Sequence, residues 1–366
     1  MRARTAVLLI VVLAVIAIGW YWLDHRASTT ATAPLKMLTW VGYDEPDYVA
    51  ALEKATGRKV VVQTYSGGEQ MYQLLTKSPP GTFDVVIVDA EFGRKLFAEK
   101  ALRELTDDDW KFPDLLTSFT DGNPASLNGK TFGAVARWGA VGLVYNTTIF
   151  SPSDVQSYRV LLSPKAKGKV GIFDWYLPTM GILSKSLGNS RPYDLNSQQL
   201  AQLEKYLLQL RPQVASIQAD TGAVIDDLRS GRVAIVPGIG EWASAALQSS
   251  GLPIDYVVPD EGGIMWVEAF AIPATARDPV ASRALIAAAM RPETLAMLAS
   301  RKAYFSQVSR KTAYLHIAEP VRKALKSTTP EDAERIAGTL QFRELPGPST
   351  LEAQWLEVWN RFKVAR

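Results

Sequence analysis

The apolar and polar positions of this chain predict strands and helices in alternation. Apolar runs at residues 35–40, 59–65 and 83–88 are typical of strands, and the third is apolar almost throughout, as expected for a strand covered on both faces. Helical spacing follows over 47–55 and 92–100, with another helix between them that opens at a Gly-Gly pair. This alternation of strands and helices predicts a doubly wound α/β sheet.

A second α/β unit is predicted after a strand-rich stretch at 130–146. Strands are expected at 169–173, 232–237 and 253–259, and helices at 179–187, 197–210, 224–230, 241–249, 280–290, 292–300 and 349–363. With 366 residues the chain is long enough for two compact lobes.

Residues 261–274 (EGGIMWVEAFAIPA) carry the clearest chemical signal. The Gly-Gly pair predicts a turn into a strand, and the period of two places Trp266 and Glu268 side by side on one face. An aromatic face beside a carboxylate is what a site for an organic cation needs. On spacing alone an edge strand, with Trp266 in the core and Glu268 in solvent, is the alternative.

Four more candidates follow the predicted strands of the first unit. Trp40 and Tyr43 come after the first strand, and Asp89 and Glu91 come after the third. Ligands in such sheets collect beyond the carboxyl ends of the strands. We therefore expect these side chains to border a pocket for a cation. Asp89 as a helix cap and Glu91 as a solvated acid are the alternatives.

The N-terminus has the pattern of an export signal. Arg2 and Arg4 precede an apolar run over residues 6–23 that ends in Trp-Tyr-Trp-Leu. The run is also long enough to remain as a membrane anchor. We predict a signal peptide or anchor at 1–26, a linker at 27–35, and a periplasmic location for the remainder.

Composition removes several classes of function. The chain has no Cys and two His, so thiol catalysis, Cys-ligated zinc and multi-histidine metal sites are excluded or unsupported. Setting residues 1–26 aside leaves 37 bases and 36 acids, without a basic stripe, which disfavours nucleic-acid binding. We predict no metal, no cofactor and no catalytic residue.

Several segments together resemble the bacterial periplasmic spermidine/putrescine-binding proteins, the solute receptors of ABC importers. They span most of the chain after the N-terminal run: LTWVGY (38–43), TYSGGEQMY (64–72), FDVVIVD (83–89), RWGAVGLVYN (137–146), KGKVGIFD (167–174), GLPIDYVVPDEGGIMWVEAFAIPATA (251–276) and MRPE (290–293). The resemblance implies a type II periplasmic-binding fold with ligand between two lobes. Lobe 1 would comprise 36–138 and 268–314, and lobe 2 would comprise 139–266 and 315–366.

The resemblance also implies a ligand set, with departures. Trp40, Tyr43, Trp266, Glu268 and Tyr304 match ligand-contacting positions of the family, Glu268 standing where Asp is usual. Asp89 and Glu91 stand where such receptors carry a hydroxyl residue and a tyrosine. In lobe 2, Trp175 and Pro178 replace two acids, with Asp174 adjacent, and Arg137 is an unexpected positive charge. The acids are then either redistributed to Asp89 and Glu91, or the ligand is a different amine, such as one with a carboxylate that pairs with Arg137.

The function implied is a non-enzymatic receptor, monomeric by family default, that captures a polyamine or related organic cation and delivers it to an ABC permease of the inner membrane. A membrane-anchored ligand sensor of the same fold, for a different amine or an amino-acid-like solute, is the second hypothesis. An enzyme on this fold is disfavoured because Cys is absent and His is scarce.

Overall fold

A computed structural model describes residues 33–301 and 303–365 of the chain, so the predicted signal or anchor segment and residues 27–32 of the predicted linker lie outside the described residues. The strands are β1 (Leu35–Trp40), β2 (Val60–Tyr65), β3 (Val85–Asp89), β4 (Ser126–Leu127), β5 (Lys130–Thr131), β6 (Gly133–Asn146), β7 (Val170–Phe173), β8 (Val214–Gln218), β9 (Ile235–Ile239), β10 (Ile254–Val257), β11 (Gly263–Ala271), β12 (Gln307–Val308) and β13 (Leu340–Phe342).

Helices cover both faces of the sheets. They are α1 (Pro46–Thr56), α2 (Gly68–Lys77), α3 (Ala90–Ala98), α4 (Asp107–Trp110), α5 (Thr117–Thr120), α6 (Tyr176–Ser186), α7 (Ser197–Leu210), α8 (Thr221–Ser230), α9 (Glu241–Ser249), α10 (Pro279–Ala289), α11 (Pro292–Ala296), α12 (Glu319–Ala324), α13 (Pro330–Ala337) and α14 (Glu352–Val364). Short 3₁₀ segments lie at Tyr158–Leu162, Pro164–Ala166, Arg211–Gln213, Met297–Ala299 and Lys311–His316. Among the described residues, no helix is long and apolar enough to cross a membrane.

Two long strands join the two halves of the molecule. The strand order is β2-β1-β3-β11-β6-β9-β7-β8, with β1 parallel to β2 and β3, and β7 parallel to β8 and β9. The first part of β6 pairs with β11, and its second part pairs with β9 and β10. The main chain therefore crosses between the halves at β6 and β11. Two α/β units are confirmed, and the residue limits of the lobes stay a prediction.

Local sequence signals explain the best-predicted elements. Helix α7 begins where Asn196 and Gln199 bond each other's backbone N–H at 2.9 Å, and it spans the predicted 197–210. Strand β3 is buried along its whole length, as its apolar run predicts. Strand β8 and the helices α12 and α13 were not predicted. The edge-strand alternative for residues 261–274 is wrong, because β11 lies between β3 and β6.

Candidate ligand-binding cavity

Three charged side chains form a row across the centre of the sheet. Glu268 on β11 pairs in register with Asp89 at the end of β3 and with Arg137 on β6. A bulge follows at once, since Ala269 pairs with Val135 and Ala136 is skipped. Like charges directly opposite each other on a sheet destabilise it, and bulges are common beside functional sites. The row of charges therefore lowers the stability of the sheet at this point, as is common beside a functional site.

Two tyrosines hold the Glu268 carboxylate. The Tyr43 hydroxyl donates to Oε2 at 2.6 Å, and the Tyr304 hydroxyl donates to Oε1 at 2.8 Å. Burial and the neighbouring Glu268 raise the pKa of both tyrosines well above the ordinary value, so both hydroxyls remain protonated donors. The carboxylate is thereby fixed in orientation, with one edge toward the cavity described below.

Arg137 lies behind this carboxylate, in the core. Its Nη1 is 3.9 Å from Glu268 Oε2, its Nε donates to the Ser306 hydroxyl at 2.7 Å, and its guanidinium lies over the rings of Tyr304 (4.0 Å) and Tyr43 (5.2 Å). Burial alone would lower its pKa, but the nearby Tyr304, Glu268 and Tyr43 raise it above the ordinary value. Arg137 therefore stays charged and supports Glu268 from the side away from the cavity.

A second buried ion cluster joins Asp89 and Glu91 to Arg343, the residue after β13. Arg343 Nη2 donates to Asp89 Oδ1 at 2.9 Å, and Nε donates to Glu91 Oε1 at 2.6 Å. Trp40 Nε1 donates to the other oxygen of Asp89 at 3.3 Å. Burial raises the pKa of both carboxyl groups and the guanidinium opposes that shift, while the two carboxylates raise the pKa of Arg343. These acids are therefore already paired within the protein.

The two groups of charges meet in a cavity with about 590 Å³ of empty space. Residues from both predicted lobes line it: Trp40, Val41, Asp89, Val141, Phe173, Trp175, Pro178, Thr221, Gly238, Trp242, Trp266, Glu268, Tyr304 and Arg343. Apolar walls with a few convergent polar groups are typical of sites for small organic molecules.

Six aromatic residues contribute to the wall. Trp40 and Trp175 lie 6.3 Å apart between ring centres, and Tyr304 lies 6.2 Å from Trp266 and 6.5 Å from Trp242. Ring faces attract cations, most strongly when water is excluded. A cavity lined by these rings and by the Glu268 carboxylate is therefore suited to a positively charged organic group.

The structure divides the predicted site residues into three groups. Six of them line the cavity: Trp40, Asp89, Trp175, Trp266, Glu268 and Tyr304. Tyr43, Glu91 and Arg137 lie behind the wall and bond or stack against residues that line it. Asp174 requires a correction. Its carboxylate turns to α14, where it accepts from Trp359 Nε1 at 2.8 Å and Lys363 Nζ at 3.0 Å, so we remove it from the proposed ligand contacts.

Sequence reasoning missed several members of the wall, among them Arg343 and Trp242. Arg343 lies 254 residues from Asp89 along the chain, and no local pattern predicts that pairing. Trp242 had a usable signal, because it follows the predicted strand 232–237 at the start of a helix, where ligands collect in α/β sheets.

Glu241 and Gly139 support the wall from behind Trp266. Both Glu241 oxygens accept from the Ala140 N–H at 2.9 Å, and burial raises the Glu241 pKa to about 8. A Cβ on Gly139 would lie 2.4 Å from Glu241 Oε1 and 2.6 Å from the Trp266 indole. Glycine is therefore required where β6 passes between the halves, because only the absence of a side chain permits this approach.

Comparison with known proteins identifies the class of this cavity. The family described as bacterial extracellular solute-binding protein matches residues 47–323, which is more than half of the chain. The chain belongs to this family. The members of this family are substrate-binding proteins of transport systems and not enzymes, and they act outside the cytoplasm.

Individual relatives agree with this assignment. The chain is 27% identical over 278 residues to the spermidine/putrescine-binding periplasmic protein of Escherichia coli (strain K12), covering 74% of this chain and 76% of that protein. It is 25% identical over 368 residues to the putrescine/agmatine-binding protein of Pseudomonas aeruginosa, covering 91% and 93%. A putative spermidine/putrescine ABC transporter structure from Listeria monocytogenes superimposes with a TM-score of 0.76 at 22% identity, over 91% and 99%. The periplasmic-binding fold is thereby confirmed.

Proposed function

We propose that this solute-binding protein captures a polyamine or a related organic amine in the cavity and delivers it to an ABC permease of the inner membrane. The observation that carries the proposal is Glu268. Its carboxylate reaches the cavity beneath Trp266 and Tyr304, and the hydroxyls of Tyr43 and Tyr304 fix its orientation. The names of the relatives, which specify spermidine, putrescine and agmatine, support an amine as the bound group.

The expected affinity suits capture and release. A hydrogen bond to a charged group contributes about 1.5–3 kcal/mol, and each cation–ring contact contributes about 0.5–2 kcal/mol. Buried methylene groups add about 0.8 kcal/mol each, and association costs at least about 4 kcal/mol. One carboxylate and two or three rings are then compatible with micromolar binding, about −8 kcal/mol.

Tryptophan fluorescence offers a test, because four Trp residues line the cavity. A panel of amines (putrescine, spermidine, agmatine, 4-aminobutyrate, 5-aminovalerate and choline) would be titrated beside sulfate and maltose. We expect at least one amine to change the fluorescence at micromolar concentration, and we expect Glu268→Gln to weaken that amine at least about tenfold. A response to sulfate or maltose alone would contradict the proposal. So would an amine response that Glu268→Gln leaves unchanged.

Location and assembly are part of the same proposal. We propose that residues 6–23 direct export and, if uncleaved, anchor a monomeric receptor at the inner membrane. Antibody detection of an N-terminally tagged and a C-terminally tagged chain in membrane and soluble fractions separates the two cases. Complete recovery of the C-terminal tag in the soluble fraction, without the N-terminal tag, would remove the anchored sensor as an alternative.

A further inference from the structure

Arg343 places a positive charge in the wall of the cavity. Its guanidinium stacks on Trp175, 4.3 Å from the ring centre, while Nε and Nη2 bond the buried carboxylates of Glu91 and Asp89. Its remaining nitrogen, Nη1, bonds no acceptor among the described residues, although Arg343 lines the cavity. A guanidinium has five N–H donors. This side chain therefore keeps donors available for a bound molecule.

Two helices begin beside Arg343 and the facing wall. Helix α6 starts after Trp175, and α9 starts at Glu241, one residue before Trp242. Neither N-terminus has a side-chain cap, and helix N-termini carry partial positive charge. Among the residues that line the cavity, the acids are Asp89 and Glu268 alone, and neither lies on these helices. The wall thus offers hydrogen-bond donors at Arg343 and a carboxylate at Glu268.

The buried charges around the cavity nearly cancel. Three acids (Asp89, Glu91 and Glu268) meet two bases (Arg137 and Arg343), which leaves one formal negative charge. Two of the acids are bonded to Arg343. Glu268 differs, because its arginine lies 3.9 Å away and forms no hydrogen bond with it.

Other carboxyl groups near the cavity do not change this balance. Glu69 has a partly solvent-exposed side chain near Trp175 and Arg343, and burial of its carboxyl group raises its pKa. Glu352 accepts a hydrogen bond from the Tyr176 hydroxyl at 2.7 Å. Glu241, beside Trp266, has a pKa raised by burial to about 8 and is largely neutral at pH 7. Asp174 is bonded to α14. No carboxylate of the cavity lining is left for a second ammonium group.

We propose that the cavity selects an amine with one positive group and an acceptor at its other end, a carboxylate above all, so that the amine contacts Glu268 and the acceptor contacts Arg343. The inference rests on the proposed function, because it assigns the ligand of the same cavity. Arg343 takes the place of a second ligand cation by donating hydrogen bonds to Asp89 and Glu91. A diamine would set its second ammonium beside this guanidinium and would leave the Nη1 donors without an acceptor, which costs free energy.

Matched pairs of ligands test the inference by calorimetry on the purified chain. Putrescine is compared with 4-aminobutyrate, and cadaverine with 5-aminovalerate, since each pair differs by exchange of an ammonium end for a carboxylate end. We expect the carboxylate compound of at least one pair to bind at least about tenfold more tightly than its diamine. Equal or tighter diamine binding would overturn the inference and leave the proposed function standing. If no compound of either pair binds, the inference also fails, and the wider amine panel then decides the proposed function separately.

Substitution of Arg343 gives a second, independent outcome. Arg343→Met releases Asp89 and Glu91, so the preference should reverse toward the diamine. Because two unpaired buried acids endanger folding, Arg343→Met combined with Glu91→Gln is the companion variant, and it should lose the carboxylate preference while keeping a native melting transition. Arg343→Lys should retain the preference, and Arg361→Met, on the surface of α14, serves as the control. A carboxylate preference that persists in both Met variants would overturn the role of Arg343.

Discussion

At the residue scale, the cavity depends on which charges the protein satisfies internally. Asp89 and Glu91 accept hydrogen bonds from Arg343, whereas Glu268 accepts from two neutral hydroxyls, and its nearest guanidinium, Arg137, lies 3.9 Å away without a hydrogen bond. A carboxylate held by neutral donors retains its attraction for a cation, while one already paired with a guanidinium loses most of it. The position of one arginine therefore decides which of the acids predicted from sequence is available to a ligand.

The sequence predicted the residues whose signal is local. Trp266 and Glu268 share one face of a strand, and Trp40 and Asp89 follow strand ends, so periodicity and sheet topology place all four near the cavity. Asp174 also follows a strand, β7, but Lys363 and Trp359 of α14 compete for it. That outcome and the pairing of Arg343 depend on contacts between distant parts of the chain, which one sequence does not reveal.

Trp242 tests the contribution of a single ring. Replacing Trp242 by Leu removes an aromatic face from the cavity but keeps an apolar side chain. We expect binding of the amine to weaken by about 0.5–2 kcal/mol, so that its dissociation constant rises roughly twofold to thirtyfold. Calorimetric titration measures the change, with Trp110→Leu as the control, since Trp110 lies half-buried outside the cavity. Equal effects of the two substitutions would show that the ring of Trp242 does not contact the ligand.

At the scale of elements, β6 and β11 both connect the halves and carry the site. The bulge after Glu268, the absent side chain of Gly139 and the buried Glu241 at the start of α9 lie where the strands pass between the halves. Strong apolar runs predicted these strands well. The bulge had no sequence signal, because skipping one residue of β6 depends on the register of two strands that are far apart in the sequence.

Glu241 makes stability depend on pH. Burial raises its pKa from an ordinary value of 4.5 to about 8, so the folded state favours the neutral acid. Its contribution is complete below pH 4.5, declines as the pH rises, and is lost above pH 8. Glu241→Gln removes this dependence. We expect the free energy of unfolding of the parent, relative to this variant, to fall by up to several kcal/mol between pH 5 and pH 8.

Urea denaturation at pH 5, 6, 7 and 8 measures that difference. Glu331→Gln, which alters an exposed acid on α13, is the control and should follow the parent at every pH. Parallel pH profiles for the parent and Glu241→Gln would contradict a raised Glu241 pKa.

At the scale of the whole molecule, the cavity lies between two α/β halves joined by crossing strands. Closure of such halves around a ligand is a common way for a binding protein to bury its solute. We expect the radius of gyration from small-angle X-ray scattering to decrease when a saturating amine is added to the chain. Superimposable curves with and without ligand would indicate that the halves do not move, and Glu268→Gln at the same amine concentration is the matched control.

The overall architecture was the most predictable level, because it rests on many apolar periodicities that agree with one another. Length, alternating strands and helices and the segment order predicted two α/β units with the site at their junction. Ligand chemistry was less predictable, since it depends on how a few buried charges are shared. The replacement of two expected acids by Trp175 and Pro178 left two hypotheses open, acids redistributed to Asp89 and Glu91 or a different amine. The pairing of both acids with Arg343 favours the second hypothesis.

The most direct test of the central claim is calorimetric titration of the parent chain and Glu268→Gln with the amine that responds most strongly in the fluorescence panel. Glu331→Gln again serves as the control. The account predicts micromolar binding at one site in the parent and in the control, and a loss of at least about tenfold in Glu268→Gln. Equal affinity in all three proteins would contradict it and move the binding site away from this cavity.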